Sequence, residues 1–253
     1  IKQAFDAVAS DCKSAIDALY ETDCPRCKRT TTATCTIWSE SVDCPKCGKN
    51  TLLFDGKKIG KNIVQLTCCG LRVDTREIDT KEAVPVEIRI KECSVCKGRS
   101  NKRFDPDDQK RLDQIENTQI TYWYPKSELR YPDGGLFKEG THREGLDKLE
   151  DVFTHRNLYA LSILYHSIQN VKTDEKTRDL LRFRFTSMVH LASKMTPDRP
   201  TRPYSSFWAQ HRYAMMPISM ESNVWFLFES SVLGKQGLLK GKEQANERLA
   251  HLK

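Results

Sequence analysis

Three cysteine pairs in this chain have the Cys-x-x-Cys form: Cys24-Pro25-Arg26-Cys27, Cys44-Pro45-Lys46-Cys47 and Cys93-Ser94-Val95-Cys96. A fourth, compressed knuckle is the adjacent pair Cys68-Cys69, followed by Gly70. Two thiolates at such spacing can grip one side of a tetrahedral ion, and two pairs complete a structural zinc site. Cys24, Cys27, Cys44, Cys47, Cys68, Cys69, Cys93 and Cys96 are therefore the expected ligands of two zinc ions; Cys12 and Cys35 lie outside the knuckles. Sequential pairing would put the first two knuckles on one ion and the last two on the other. A nested pairing would join the middle two knuckles and the outer two, and the spacing leaves both open. Disulfides would need an oxidising compartment, and no hydrophobic leader precedes the cysteines. Catalytic zinc sites usually keep a water position and use histidine or carboxylate ligands, so both ions are read as structural.

The segments between the knuckles are suited to strands: Thr32 to Trp38, Thr51 to Phe54, Asn62 to Thr67 and Val84 to Ile90, with Asp55 to Gly60 as the turn joining the middle two. In Asp43-Cys44-Pro45-Lys46-Cys47-Gly48-Lys49, glycine permits the backbone turn that aims amides at the second sulfur. Knuckle, hairpin, knuckle is the construction of a zinc ribbon, which buries too little apolar surface to fold without its metal.

Helices must carry the rest. Phe5, Val8, Cys12, Ile16 and Leu19 recur at three- and four-residue steps, predicting a leading helix in which Cys12 is packed. Asp105-Pro106-Asp107 predicts a helix start, with Leu112 and Ile115 on its buried side. Thr154 and then Thr173 or Asp174 are expected to cap two more. Met215 to Ile218 reads as a short extended segment, followed by a helix capped by Ser219 or Ser222 and a last helix through Leu238, Leu239 and Leu249. The expected fold is α+β: a leading helix over 1–22, a Cys-rich zinc-ribbon β module over 23–104, and a mostly α-helical region over 105–253.

The chain has 253 residues, 38% hydrophobic and 30% charged, with a formal charge of +7. This permits contact with nucleic acid or an anionic surface. No apolar run approaches the roughly 20 residues that span a bilayer. Between residues 178 and 212 there are seven Arg/Lys against two acids. Lys126, Arg130, His142, Arg143, Arg182, Arg184, Arg199 and Arg202 are the candidate DNA contacts, although solvated helix faces and core-plugging aromatics explain the same residues. No phosphate loop, nucleophile elbow or His-Glu-x-x-His motif is present, and the six histidines are scattered. Asp133, Asp174 and Lys176 can be drawn as a nuclease-like set, but their spacing is long and no catalytic residue is assigned.

The order of phrases adds a resemblance. After the ribbon come Tyr122-Trp123-Tyr124-Pro125, then Phe137 to Gly145 (FKEGTHREG), Val152 to Leu161 (VFTHRNLYAL) and Ser222-Asn223-Val224-Trp225. Together they resemble the middle portion of bacterial and phage-type DNA methylases that modify exocyclic amines, N4 of cytosine or N6 of adenine, and carry an inserted zinc ribbon. In that family an S-adenosylmethionine loop precedes the matched region and an Asp/Asn-Pro-Pro-Tyr/Phe motif follows it, and this sequence contains neither. The resemblance implies a central segment, cytoplasmic in a bacterial or phage-infected cell, that supplies DNA binding or target recognition. Its partners would be DNA and the remainder of the parent methylase, with a restriction subunit as a further candidate. S-adenosylmethionine would be bound by the parent alone, which would methylate a flipped base. The alternative is a structural zinc insertion or protein-docking module that touches no DNA. The opening Ile1-Lys2-Gln3, already inside a helical pattern, reads as a cut from a longer protein.

Overall fold

The computed structural model describes residues 1–60, 62–129, 148–199 and 215–250. The fold is α+β, with a Cys-rich β part set against a cluster of helices. Helix α1 (Lys2–Ala18) buries Ala4, Phe5, Val8, Cys12 and Ile16, the face its periodicity predicts. Phe5 packs against Trp225 and Phe228 at ring-centroid separations of 5.6 and 5.8 Å.

The main sheet is built on β3 (Cys35–Asp43). One neighbour is β8 (Lys81–Ile90), which carries β9 (Ser100–Arg103) beyond it. The other neighbours are β10 (Ile218–Ser222) along Cys35–Ser39 and β4 (Asn50–Leu52) along Ser41–Asp43. All of these pairings are antiparallel. Because side chains alternate along a strand, β3 serves two environments. Cys35 and Ile37 join Val86 and Met220 in one apolar cluster, whereas Thr36 and Trp38 turn toward the helices. Two smaller sheets complete the β part: the hairpin of β1 (Glu21–Asp23) with β2 (Thr30–Thr32), and β5 (Lys57–Lys58), β6 (Ile63–Gln65) and β7 (Arg72–Asp74). The expected turn over Asp55 to Gly60 thus includes the short strand β5, entered through a 3-10 turn at Leu53–Asp55.

Helix α2 (Pro106–Glu116) starts with the side chain of Asp105 accepting from the Asp107 and Asp108 amides, while Asp108 returns a bond to the Asp105 amide. Such a reciprocal box satisfies amides that a helix start leaves unpaired. Helix α3 (His155–Asn170), capped by Thr154, is the centre of the helical part and touches α1, α2, α4 (Glu175–Val189) and α5 (Val224–Leu233). Asp174 caps α4. The cap of α5 corrects the sequence expectation: Ser219 and Ser222 still belong to β10, paired with Trp38 and Cys35, and Asn223 receives the Phe226 amide. Helix α6 (Leu238–Ala250) buries Leu238 and leaves Leu249 exposed. Among the described residues no helix is long and apolar enough to cross a membrane.

Candidate metal centres

The four knuckles share one backbone design. In the first, the Cys24 amide donates to the Arg29 carbonyl at 3.0 Å and the Lys28 amide returns to the Cys24 carbonyl at 2.8 Å. The same two bonds link Cys44 with Lys49 and Gly48, and Cys93 with Gly98 and Lys97. Each loop needs a left-handed residue just after its second cysteine. Lys28, Gly48, Gly70 and Lys97 fill that position with φ between 56° and 73°, and they are the positive-φ residues among those described.

The compressed knuckle obeys this design with a shifted ligand. Here the Leu66 amide bonds to the Leu71 carbonyl and the Gly70 amide to the Leu66 carbonyl. Leu66 therefore sits where the other three loops place their first cysteine, buried at 1% exposure, and Cys69 sits at the usual second position. Cys68, one residue before Cys69, supplies the remaining sulfur. Three of the loops also close their hairpins on an equivalent last rung: Asp23 with Thr30, Asp43 with Asn50, and Gln65 with Arg72.

The eight cysteines form two sets in the nested arrangement. Cys24, Cys27, Cys93 and Cys96 form the outer set; Cys44, Cys47, Cys68 and Cys69 form the inner one, and within each set all sulfurs lie within 4.8 Å of one another. The sequential pairing is not realised, because β3 and β8 lie side by side and bring the ends of the Cys-rich stretch together. Sulfur–sulfur separations within the sets include 3.9 Å for Cys24–Cys96, 3.7 Å for Cys27–Cys93, 3.5 Å for Cys44–Cys69 and 3.9 Å for Cys68–Cys69. Four sulfurs about 2.3 Å from a central ion stand roughly 3.8 Å apart in a tetrahedron. A disulfide requires about 2.05 Å. Both sets therefore fit one metal ion each, and no cysteine is disulfide-bonded.

Backbone amides prepare part of each set for ligation. The amides of Cys96 and Val95 draw the Cys93 thiol down to about 6 against the effect of its burial. At Cys44 desolvation is the largest influence, yet the Cys47 and Lys46 amides and neighbouring thiols overcome it and bring the group to about 6. Thiolates are the ligating form, so each set holds one thiol drawn toward it, while, in spite of the Arg29 and Lys49 amides, burial and neighbouring thiols raise Cys27 and Cys47 to about 11.

Four of the candidate DNA contacts, Lys126, Arg182, Arg184 and Arg199, lie among the described residues. Arg182 on α4 is held by Glu175 at 2.7 Å, Asp179 at 2.9 Å and Gln169 at 2.5 Å. Arg184, two positions along the same helix and so on a different side, lies over the Phe183 ring at 5.8 Å. Lys126 lies 5.0 Å above the Tyr124 ring and is exposed, and Arg199 lines a cleft described below. Arg130, His142, Arg143 and Arg202, like Asp133, lie outside the described residues.

A buried polar hub escaped the sequence reading. Glu221 on β10 accepts from both Arg156 Nε at 3.0 Å and Arg156 Nη2, from Thr154 Oγ1, and from Trp38 Nε1 at 2.7 Å. Arg156 also donates to Thr36 Oγ1 at 2.9 Å and stacks 5.2 Å over the Tyr20 ring. Tyr20 in turn donates to Asn157 Oδ1 at 2.6 Å, and Asn157 Nδ2 reaches the carbonyls of Ala192 and Ser222. Burial would lift the Glu221 carboxyl, but the Arg156 charge and these donors hold it below the usual carboxylate range. The hub fixes the start of α3 against β3 and β10. Thr154, Arg156, Asn157, Ser222 and Asn223, members of the sequence phrases Val152 to Leu161 and Ser222 to Trp225, are all buried in or beside it.

A cleft of about 2190 Å³ runs beside the hub. Phe54, Lys58, Val64, Asp113, Glu116, His155 and Lys194 are among the residues that line it. Burial raises the Glu116 carboxyl and lowers the Lys194 ammonium from their ordinary values. Comparison of the chain with known protein families, with characterised proteins and with solved structures finds no match.

Proposed function

We propose that this chain is a zinc-braced binding module of a DNA amino-methyltransferase, contributing DNA binding or target recognition while the parent supplies S-adenosylmethionine binding and methyl transfer. The observation that carries the zinc assignment is the pair of four-sulfur sets, each gathered within 4.8 Å. Such sets favour zinc among the common divalent ions, and four protein ligands leave no position for a reacting water. The methyltransferase assignment is supported by the combination of sequence phrases around Tyr122, Val152 and Ser222 and by the +7 formal charge. On this reading the module works in the cytoplasm of a bacterial or phage-infected cell.

Elemental analysis of the purified chain should return two zinc ions, and DNA binding should weaken as salt rises. A chain without zinc, or DNA affinity that is absent or insensitive to salt, would refute the corresponding half of the proposal. One observation favours a second reading, a docking module that makes no DNA contact. Arg178 and Arg182 are bound by Glu175 and Asp179 on their own helix, and Arg89 pairs with Asp198, so much of the local positive charge is neutralised. Salt-independent association with a protein partner and no affinity for DNA would establish that reading.

A further inference from the structure

We infer that the two metal sites have divided duties: the inner one is exchangeable and orders one wall of the cleft, while the outer one is a permanent part of the helical core. The inference rests on the proposal that both sets bind a thiophilic divalent ion.

Three features set the sites apart. The first is access. Outer ligands Cys24 and Cys93 are fully buried and Cys27 is packed against the main core, leaving Cys96 exposed. At the inner site Cys47 is exposed, Cys68 and Cys69 are half-buried, and Cys44 alone is enclosed. A chelator or a competing thiol attacks a metal–thiolate set from whichever side is open, and the inner set is open on more of them.

The second feature is support. Cys24 and Cys93 belong to the same apolar core as Phe5, Leu164 and Phe228, so the outer sulfurs cannot part unless helices separate. Cys44 belongs to a separate cluster with Val42, Leu53, Val64, Leu66 and Val73. So small a cluster cannot offset the entropy of ordering the lobe around it, and the metal must supply the difference. The third feature is the shifted ligand. With Leu66 in the first seat of its loop, two adjacent residues must both reach one ion.

The inner lobe is also the part that borders the cleft. Phe54, Gly56, Lys58, Ile63 and Val64 line it, together with Gln109, Leu112 and Glu116 of α2. Emptying the inner site therefore dissolves a wall of the cleft without dismantling α1, α3 and α5. Occupancy by the ion becomes a condition for whatever the cleft accommodates.

The test starts from the whole chain loaded with two zinc ions and verified by elemental analysis. It is titrated with a chelator while released zinc, far-ultraviolet circular dichroism and peptide-resolved hydrogen exchange are followed. The expected result is release of one ion first. Exchange protection is then lost across residues 44–79 and kept in α1, α3 and α5, and both changes reverse when zinc is restored. Cys47→Ser should purify with one zinc and an unchanged helical signal. Simultaneous loss of both ions with the helical signal, or earlier loss from the outer site, would overturn the inference while leaving the zinc proposal intact. A chain that never held zinc would overturn both.

Discussion

The outer and inner cysteine sets use the same loop, the same pair of backbone bonds and the same left-handed residue, yet they are mounted on different supports. The outer loops end hairpins whose strands feed Ile88, Ile90 and Ala33 into the helical core. The inner loops end the β3–β4 and β6–β7 hairpins, whose apolar residues gather in a separate, smaller cluster. Local sequence chemistry thus specifies the grip on an ion, and remote packing decides how much of the molecule depends on that grip.

The comparison can be broken most directly at the sulfurs. Cys93→Ser should cost stability on the scale of the whole folding free energy, about 5–15 kcal/mol for a domain, because it removes a fully buried ligand from the main core. Its far-ultraviolet spectrum should lose the helical signal that Cys47→Ser retains. Equal effects of the two substitutions would mean that the supports do not differ.

Next in size is the hub, which ties the helical support to the sheet. Arg156→Ala would leave Glu221 charged, buried and unpaired, at an expected cost of about 3–5 kcal/mol in denaturant unfolding. Replacing Arg156 and Glu221 together by Met and Leu should cost less than Arg156→Ala alone, since no bare charge remains. A double variant as unstable as the single would show that packing, not charge, dominates there.

Acidity separates the hub from the metal sites. Glu221 has a folded-state pKa below its unfolded value, so its contribution is in place above the ordinary carboxylate range and is lost as the pH falls below that range through the lower folded-state value. The gap in thermal midpoint between the wild type and Glu221→Gln should therefore narrow below about pH 4. Acid also protonates the cysteine ligands, but that affects both proteins alike and cancels in the gap. A constant gap would remove Glu221 ionisation from the stability of the helical support.

The smallest expected effect is conformational. A Cβ at Gly48 meets nothing within 4 Å, so Gly48→Ala would be felt through its φ of 70° alone, about 1 kcal/mol. The loss should appear as faster zinc release from the inner site with no change in the thermal midpoint of the helices. A shift in that midpoint would show that the inner lobe supports the core after all.

The features legible in the sequence are those made by residues close together along it. The Cys-x-x-Cys spacing, the α1 stripe and the caps Asp105, Thr154 and Asp174 are all local, and each appears where its residues place it. Knuckle pairing was not legible, because the order of β3 and β8 in the sheet decides it. The shifted compressed loop could have been found by aligning Leu66 to Leu71 with the other knuckles on their left-handed position. The hub joins residues 65 and 120 apart and offers no periodic signal. Charge counting over residues 178–212 cannot show pairing: Arg178 and Arg182 are bound by Glu175, which lies just outside that window.

Strand β3 belongs to both supports, paired with β8 and β10 on the helical side and running through Asp43 straight into the inner loop. In mechanical terms it is a shaft. A pull on the inner lobe along this strand loads the rungs of the β3–β8 ladder together, in shear, whereas the β6–β7 hairpin can be peeled open one rung at a time. Tension would therefore spend the inner hairpins before it disturbed the shaft, leaving the helical body attached to an intact stump from which the lobe can reassemble.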